Sequence, residues 1–156
     1  MTKMRLFALL PAVILAAACG GSSSVTTSNN FGATLNGASE VPATTSTATG
    51  TATYTVSGST VNYSVTYSGL SGPPGAAHIH AGAPGVAGGV VVGLKGLPTT
   101  ASGTITGSFT QADFDAKSPI GTFADLLAQM QAGNTYTNIH TQANGGGEIR
   151  GQNAAR

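Results

Sequence analysis

Hydrophobic and small polar residues alternate along much of the chain, most clearly in TATYTVSGSTVNYSVTYSGL, residues 51–70. Side chains of a strand point alternately to its two faces, so this period of two predicts two half-buried strands. The Ser-Gly-Ser at 57–59 predicts the turn that joins them. The apolar positions that define the pattern are Ala52, Tyr54 and Val56, then Val61, Tyr63, Val65 and Tyr67.

Further segments also have the character of strands. They are Ala76 to His80, the apolar run Val90 to Leu94, the alternating run Gly103 to Phe109, and the C-terminal NTYTNIHTQANGGGEIRGQ. The last one predicts a strand, a turn at Asn144-Gly145 and another strand. Because many short strands with glycine-rich connections are typical of all-β domains, we predict an antiparallel β-sandwich or Greek-key barrel with one or two short helices.

One helix is predicted after Thr122, whose hydroxyl suits an N-cap. Asp125 follows near the positive end of the helix dipole. Leu126, Leu127 and Met130 form an apolar stripe, and Gly133 ends the pattern. A shorter turn is expected after Thr110.

Residues 1–18 have the features of an export signal, with Lys3 and Arg5 ahead of the apolar stretch Leu6 to Ala18. The sequence LAAAC, residues 15–19, resembles a bacterial lipobox. That resemblance implies a lipoprotein signal peptide and a lipidated Cys19 as the first residue of the mature protein. The alternative is an ordinary secretory signal followed by an unused cysteine.

The sequence GGSSSVTTSNN, residues 20–30, has the composition of a flexible linker, so residues 19–30 are predicted to be the lipidated Cys19 and its tether. The apolar stretch is shorter than the roughly 20 residues of a membrane-spanning helix, which favours attachment to a membrane through the lipid. We expect an exported protein of the cell envelope. Gly20, in place of an aspartate, favours the outer membrane or the cell surface.

Charge and motifs exclude two classes of protein. The chain has 6 basic and 5 acidic residues, and removal of the signal takes two of the basic ones. Those that remain are scattered, whereas a nucleic-acid-binding protein needs clustered Lys and Arg. The sequence also lacks a nucleophile elbow, a phosphate-binding loop and an H-E-x-x-H motif, so we predict that it is not an enzyme.

Three segments share one pattern, a polar residue, an isoleucine and a polar residue, and two of them carry the three histidines. The segments are HIH at 78–80, NIH at 138–140 and EIR at 148–150. If all three lie in one sheet, the isoleucines face the core and the polar residues gather on the opposite face.

This placement makes His78, His80 and His140 candidate metal ligands. Residues two apart on a strand are separated by about 6.5 to 7 Å, and His140 would join them from a neighbouring strand. Three imidazoles with an open position suit copper or zinc, with Glu148 and Arg150 in support. The alternative is a polar cluster in which Arg150 pairs with Glu148 and the histidines bond to backbone groups.

Three stretches, in this order, resemble the CHRD domain, a module first recognised in chordin and common in exported bacterial proteins. They are LNGASEVPATTSTATGTATYTV, GAAHIHAGAPGVAGGVVVGL and NTYTNIHTQANGGGEIRGQ. The resemblance covers residues 31–152 and leaves 153–156 as a C-terminal tail. It implies a binding or interaction module with an unidentified protein or ligand partner.

The His-Ile-His block is also similar to the copper-binding histidine pair of copper-zinc superoxide dismutases, which are Greek-key β-barrels. This similarity implies copper ligands at His78 and His80. The chain has one further histidine and no cysteine pair, which argues against a dismutase. Three interpretations follow: a lipid-anchored extracytoplasmic binding module without catalysis, a histidine-based copper or zinc protein, and a purely structural or adhesive domain.

Overall fold

A computed structural model describes residues 28–156 of the chain. The predicted signal peptide, Cys19 and the tether up to residue 27 lie outside the described residues. The strands are β1 (Asn30–Asn36), β2 (Thr49–Ser57), β3 (Thr60–Ser68), β4 (Pro74–Ala81), β5 (Val90–Gly93), β6 (Gly103–Phe109), β7 (Thr135–Thr141), β8 (Ile149–Gln152) and β9 (Ala154–Ala155). One α-helix, α1 (Phe123–Gln131), precedes β7, and short 3-10 turns occupy Gly37–Ser39 and Gln111–Asp113.

The strands form one sheet in the order β5-β4-β7-β8-β1-β2-β3-β6, with β9 paired to β1. Every pairing between these strands is antiparallel. The sheet curves until it is nearly closed into a barrel. The all-β antiparallel fold predicted from the alternating pattern is therefore confirmed.

The hairpin of β2 and β3 shows why the sequence folds in this way. The inward positions Ala52, Tyr54 and Val65 are buried, while the threonines between them face solvent. Burying a side chain the size of valine stabilises a fold by about 1.5 to 3 kcal/mol, so the inner face supplies most of the stabilisation. The turn falls at Gly58, whose φ of +59° suits glycine.

Strands β4, β7 and β8 are neighbours and carry the three polar-isoleucine-polar segments. Ile79, Ile139 and Ile149 are completely buried in the barrel core. The prediction that these isoleucines face the core is confirmed. Residues of opposite parity on β4 and β7 therefore lie on the outer face of the barrel.

Residues 153–156, predicted as a tail, belong to the fold. Strand β9 pairs with β1, and Asn153 is completely buried. The Thr137 hydroxyl donates to Asn153 Oδ1 over 2.7 Å, and Asn153 Nδ2 donates to Thr135 Oγ1 over 3.1 Å. These polar contacts, rather than apolar side chains, hold Asn153 inside the barrel, whereas Ala154, Ala155 and Arg156 are exposed.

Helix α1 begins and ends as the sequence predicts. The Thr122 hydroxyl accepts a hydrogen bond from the Asp125 backbone N–H over 3.1 Å, and Gly133 follows the helix with a φ of +71°. Leu126 and Met130 are completely buried and attach the helix to the core. No helix among residues 28–156 has both the length and the apolarity needed to cross a bilayer.

Candidate metal centre

The pairing of β4 with β7 brings the three histidines together. His78 and His80 lie on β4, and the register places Ala76 opposite His140, His78 opposite Asn138 and His80 opposite Tyr136. Directly opposed residues of an antiparallel pair share a face. The outer face of these two strands therefore carries all the histidines of the chain.

The imidazoles converge closely enough to share one ion. One nitrogen of each of His78, His80 and His140 lies within 4.8 Å of the others. The shortest separation joins His78 Nδ1 to His140 Nε2 at 3.0 Å. In a tetrahedral zinc site with bonds of about 2.0 to 2.1 Å, two nitrogens lie about 3.3 Å apart. The distance between His78 Nδ1 and His140 Nε2 is thus close to that of two nitrogens on one zinc ion.

Backbone carbonyls fix the orientation of two of these rings. His80 Nδ1 lies 2.9 Å from the Gly88 carbonyl oxygen, and His140 Nδ1 lies 3.1 Å from that of Gly145. Because a carbonyl only accepts, each Nδ1 carries the proton and each Nε2 presents a lone pair. The Nε2 of His140 then accepts a hydrogen bond from His78 Nδ1, whereas that of His80 has no partner among the described residues. Histidines that ligate metals show this arrangement, in which the second nitrogen donates to an outer acceptor.

The Nε2 atom of His80 is the most informative atom of the cluster. It is buried and has no hydrogen-bond partner among the described residues. Buried polar atoms are nearly always satisfied, so an unsatisfied one needs a specific explanation. A bound metal ion would supply the missing partner.

The surroundings of all three histidines favour the neutral imidazole. Burial, together with the neighbouring His140 and His80, lowers the pKa of His78 to about 4. Burial also lowers the pKa values of His80 and His140, although the carbonyls of Gly88 and Gly145 oppose the shifts. The neutral imidazole is the form that binds metal ions.

The structure does not bring Glu148 to the histidines. Its carboxylate accepts hydrogen bonds from the hydroxyls of Ser46 (2.8 Å), Ser71 (2.5 Å) and Thr141 (2.6 Å), and from the Ser71 backbone N–H (2.8 Å). Burial alone raises the pKa of Glu148, but these hydrogen bonds outweigh it and bring the pKa to about 2. Glu148 lies before the start of β8, after Gly147 with a φ of +128°, so the alternation of a strand does not set its direction.

Arg150 lies on the same side of the sheet but pairs with neither Glu148 nor a histidine. The only salt bridge among residues 28–156 joins Lys95 to Asp113. The guanidinium of Arg150 instead lies over the ring of Tyr136, with Cζ 3.4 Å from the ring centroid. Of the predicted polar cluster, the histidine contacts to backbone carbonyls are present and the Arg150 to Glu148 pair is not.

The sequence analysis assigned no role to Tyr136 or Glu40, and it placed Asn138 on the outer face without a contact. Tyr136 stacks on His80, with ring centroids 4.8 Å apart and planes at 4°. Asn138 donates through Nδ2 to Glu40 over 2.7 Å, and its buried Oδ1 has no partner among the described residues. Tyr136 and Asn138 lie on the same face of β7 as His140. Strand alternation applied to the whole of β7 therefore predicts that both lie on the outer face, beside the histidines. Nothing in the sequence around Glu40-Val41-Pro42 indicates that the Glu40 side chain contacts β7.

A cleft opens beside the histidines. It has a volume of about 870 Å³, and His140 is among its lining residues, together with Pro73, Pro74 and Ala143. His78 and His140 are half-buried, whereas His80 is buried. A ligand in solution can therefore approach the cluster from the side of His140.

The sequence profile described as the CHRD domain matches residues 31–153. The match includes the HIH, NIH and EIR segments and ends at the buried Asn153. No curated protein and no solved structure matches the chain. The similarity of the His-Ile-His block to copper-zinc superoxide dismutases accordingly stays a prediction.

Proposed function

Because the chain belongs to the CHRD domain family, we propose that it is a binding module without catalytic activity, held outside the cytoplasm at the cell envelope by a lipid on Cys19. The LAAAC sequence at 15–19 and the Gly/Ser-rich stretch after it support the attachment. The absence of a complete catalytic motif from the sequence supports binding rather than turnover.

A second candidate function, copper or zinc binding by His78, His80 and His140, is favoured by one observation. The buried Nε2 of His80 has no hydrogen-bond partner among the described residues, and one ring nitrogen of each of the three histidines lies within 4.8 Å of the others. A cluster that served only as structural hydrogen-bonding groups would satisfy this atom. The two proposals are compatible, because a metal ion can be what the anchored module binds or what it uses to bind a partner.

Three protein ligands leave a fourth position for water or for a group on a partner. The half-buried His78 and His140 and the cleft beside His140 support access to that position. Imidazole suits both copper and zinc, and divalent copper binds more tightly than zinc to most sites of this kind.

Metal titration of single variants tests the second candidate. We would measure Kd for zinc and for copper on the purified full chain carrying Cys19→Ser, so that its only thiol cannot bind the ion. His78→Ala, His80→Ala and His140→Ala should each weaken binding by at least about 100-fold, because even removal of an outer-shell partner costs about 10- to 100-fold. Asn62→Ala, an exposed residue on β3, is the control and should leave Kd unchanged.

The proposal fails if the parent chain binds neither ion, or if His140→Ala binds as tightly as the parent. The anchor is tested separately, by comparing membrane fractions of cells that produce the native chain or Cys19→Ser. Release of Cys19→Ser alone into the soluble fraction is expected, and equal retention of both would contradict lipid attachment. Turnover of superoxide by the copper-loaded chain well above the rate of copper-free chain would contradict a role limited to binding.

A further inference from the structure

A three-layer stack connects the histidine cluster to a buried positive charge. The rings of His80 and Tyr136 are parallel with centroids 4.8 Å apart, and Cζ of Arg150 lies 3.4 Å from the centroid of Tyr136. Strand β7, which carries Tyr136, lies between β4 and β8, so the tyrosine ring separates the imidazole from the guanidinium. At most roughly 8 Å separates the guanidinium carbon from the centre of the His80 ring, since the two steps are 3.4 and 4.8 Å.

The charge of Arg150 is held in place and shielded from solvent. Its side chain is 2% exposed. Its Nη2 donates to the carbonyl of Val86 over 2.9 Å and to that of Ala83 over 3.4 Å. Charges buried in this way are screened by salt much less than surface charges are.

No carboxylate forms a salt bridge with Arg150 among the described residues. Glu40 is the acidic residue whose charge interacts with Arg150. Burial raises the pKa of Glu40 and Arg150 lowers it, so that the pKa is about 7 overall. Near neutral pH the Glu40 carboxyl is only partly ionised, so it balances only part of the arginine charge. A net positive charge therefore remains behind Tyr136.

We propose that Arg150 is a specificity-determining residue that shifts the trihistidine site toward monovalent copper and away from divalent zinc. This inference rests on the proposed metal-binding function. A fixed cation repels a divalent ion twice as strongly as a monovalent one. At about 10 Å and an effective dielectric constant of about 20, the extra unit of charge changes relative affinity on the order of tenfold.

Arg150 also positions the loop that orients His80. The carbonyls of Ala83 and Val86 and the Gly88 carbonyl that accepts from His80 all lie in the connection between β4 and β5. Loss of Arg150 would loosen this loop and weaken the binding of either ion. Only the ratio of the two affinities separates the effect of charge from the effect of position.

The test compares two substitutions in the full chain carrying Cys19→Ser. Arg150→Met removes the charge, and Arg150→Lys keeps it but loses the planar guanidinium. Kd for monovalent copper is measured without oxygen by competition with a chromophoric chelator, and Kd for zinc with a fluorescent one. Circular dichroism and thermal unfolding establish that each variant is folded.

The ratio of copper(I) affinity to zinc affinity should fall on the order of tenfold in Arg150→Met and stay within about threefold in Arg150→Lys. An unchanged ratio in a folded Arg150→Met overturns the inference, and so does an equal change in both variants. If Arg150→Met does not fold, Glu40→Gln replaces it. Because Glu40→Gln removes the partial negative charge, it should raise the ratio, and an unchanged ratio would again overturn the inference.

The outcomes also separate this inference from the proposed function. A parent chain that binds neither ion overturns both. A parent chain that binds through its histidines, with a ratio that does not respond to Arg150 or Glu40, overturns only the role of Arg150.

Discussion

Glu148→Gln tests whether the G-E-I-R segment holds the fold together or serves the histidines. The carboxylate accepts four hydrogen bonds, two at Oε1 from Ser46 and the Ser71 backbone, and two at Oε2 from the hydroxyls of Ser71 and Thr141. Glutamine has the same shape but accepts with only one of its two terminal atoms. Two donors would then face an NH₂ group, and each buried donor that cannot turn to accept from that group costs about 1 to 3 kcal/mol.

The pKa of Glu148 gives a second measure of the same effect. It falls from the ordinary 4.5 to about 2 in the folded chain, and each unit is worth about 1.4 kcal/mol. The carboxylate should therefore stabilise the fold by about 3 kcal/mol at pH 7, in agreement with the hydrogen-bond count. Because the folded pKa is the lower one, this stability is present above pH 4.5 and is lost as the pH falls toward 2.

Urea unfolding of the parent chain and of Glu148→Gln at pH 7, 5 and 3 measures the difference. We expect about 3 kcal/mol at pH 7 and roughly half of that at pH 3, with zinc affinity unchanged within about threefold. Asp115→Asn removes an exposed carboxylate and is the control, with a much smaller change in the unfolding midpoint. A variant within about 0.5 kcal/mol of the parent at pH 7, or a difference that does not depend on pH, would refute the reasoning.

Three further predictions concern the core, the C-terminal turn and the pH dependence of the metal site. Ile79→Ala should lower the free energy of unfolding by about 2 to 5 kcal/mol. Val86→Ala, at a side chain that is 50% exposed, should change it by less than about 0.5 kcal/mol. Equal effects of the two substitutions in urea unfolding would contradict the assigned core. Gly147→Ala should lower the free energy of unfolding by more than about 1 kcal/mol, because φ is +128° and an added Cβ would collide with the Asn138 amide. A Cβ added at Gly146 meets nothing within 4 Å, so Gly146→Ala should be nearly neutral by thermal unfolding. Burial lowers the pKa of all three histidines below the ordinary 6.5, so protons should begin to compete with zinc only below that pH. A titration in which zinc affinity already falls between pH 8 and 6.5 would contradict this environment.

Strand alternation explains how much of the structure could be predicted from the sequence. A period of two fixes the face of each side chain once a segment is a strand, so the burial of Ile79 and Ile139 and the shared face of His78 and His140 followed from the sequence. The sequence does not show that β4 and β7 are neighbours, and the structure shows that they pair directly.

The same rule failed where the chain leaves regular strand geometry. Glu148 lies between Gly147 and the start of β8, so its direction depends on the turn and on the hydroxyls that bind it. The short β9 has only two residues and no alternating pattern, and Asn153, which precedes it, is held by hydrogen bonds to threonines. The carbonyl of Gly88 that orients His80 comes from a glycine-rich loop, whose path no local pattern of side chains specifies.

X-ray absorption at the zinc edge of the zinc-loaded full chain carrying Cys19→Ser tests the central claim most directly. We expect one zinc per chain with three imidazole nitrogens at about 2.0 to 2.1 Å and one further light ligand. Loss of an imidazole in His140→Ala should reduce the number of imidazoles in the spectrum by one. A zinc shell made only of oxygen atoms, or a spectrum that His140→Ala leaves unchanged, would contradict a trihistidine site.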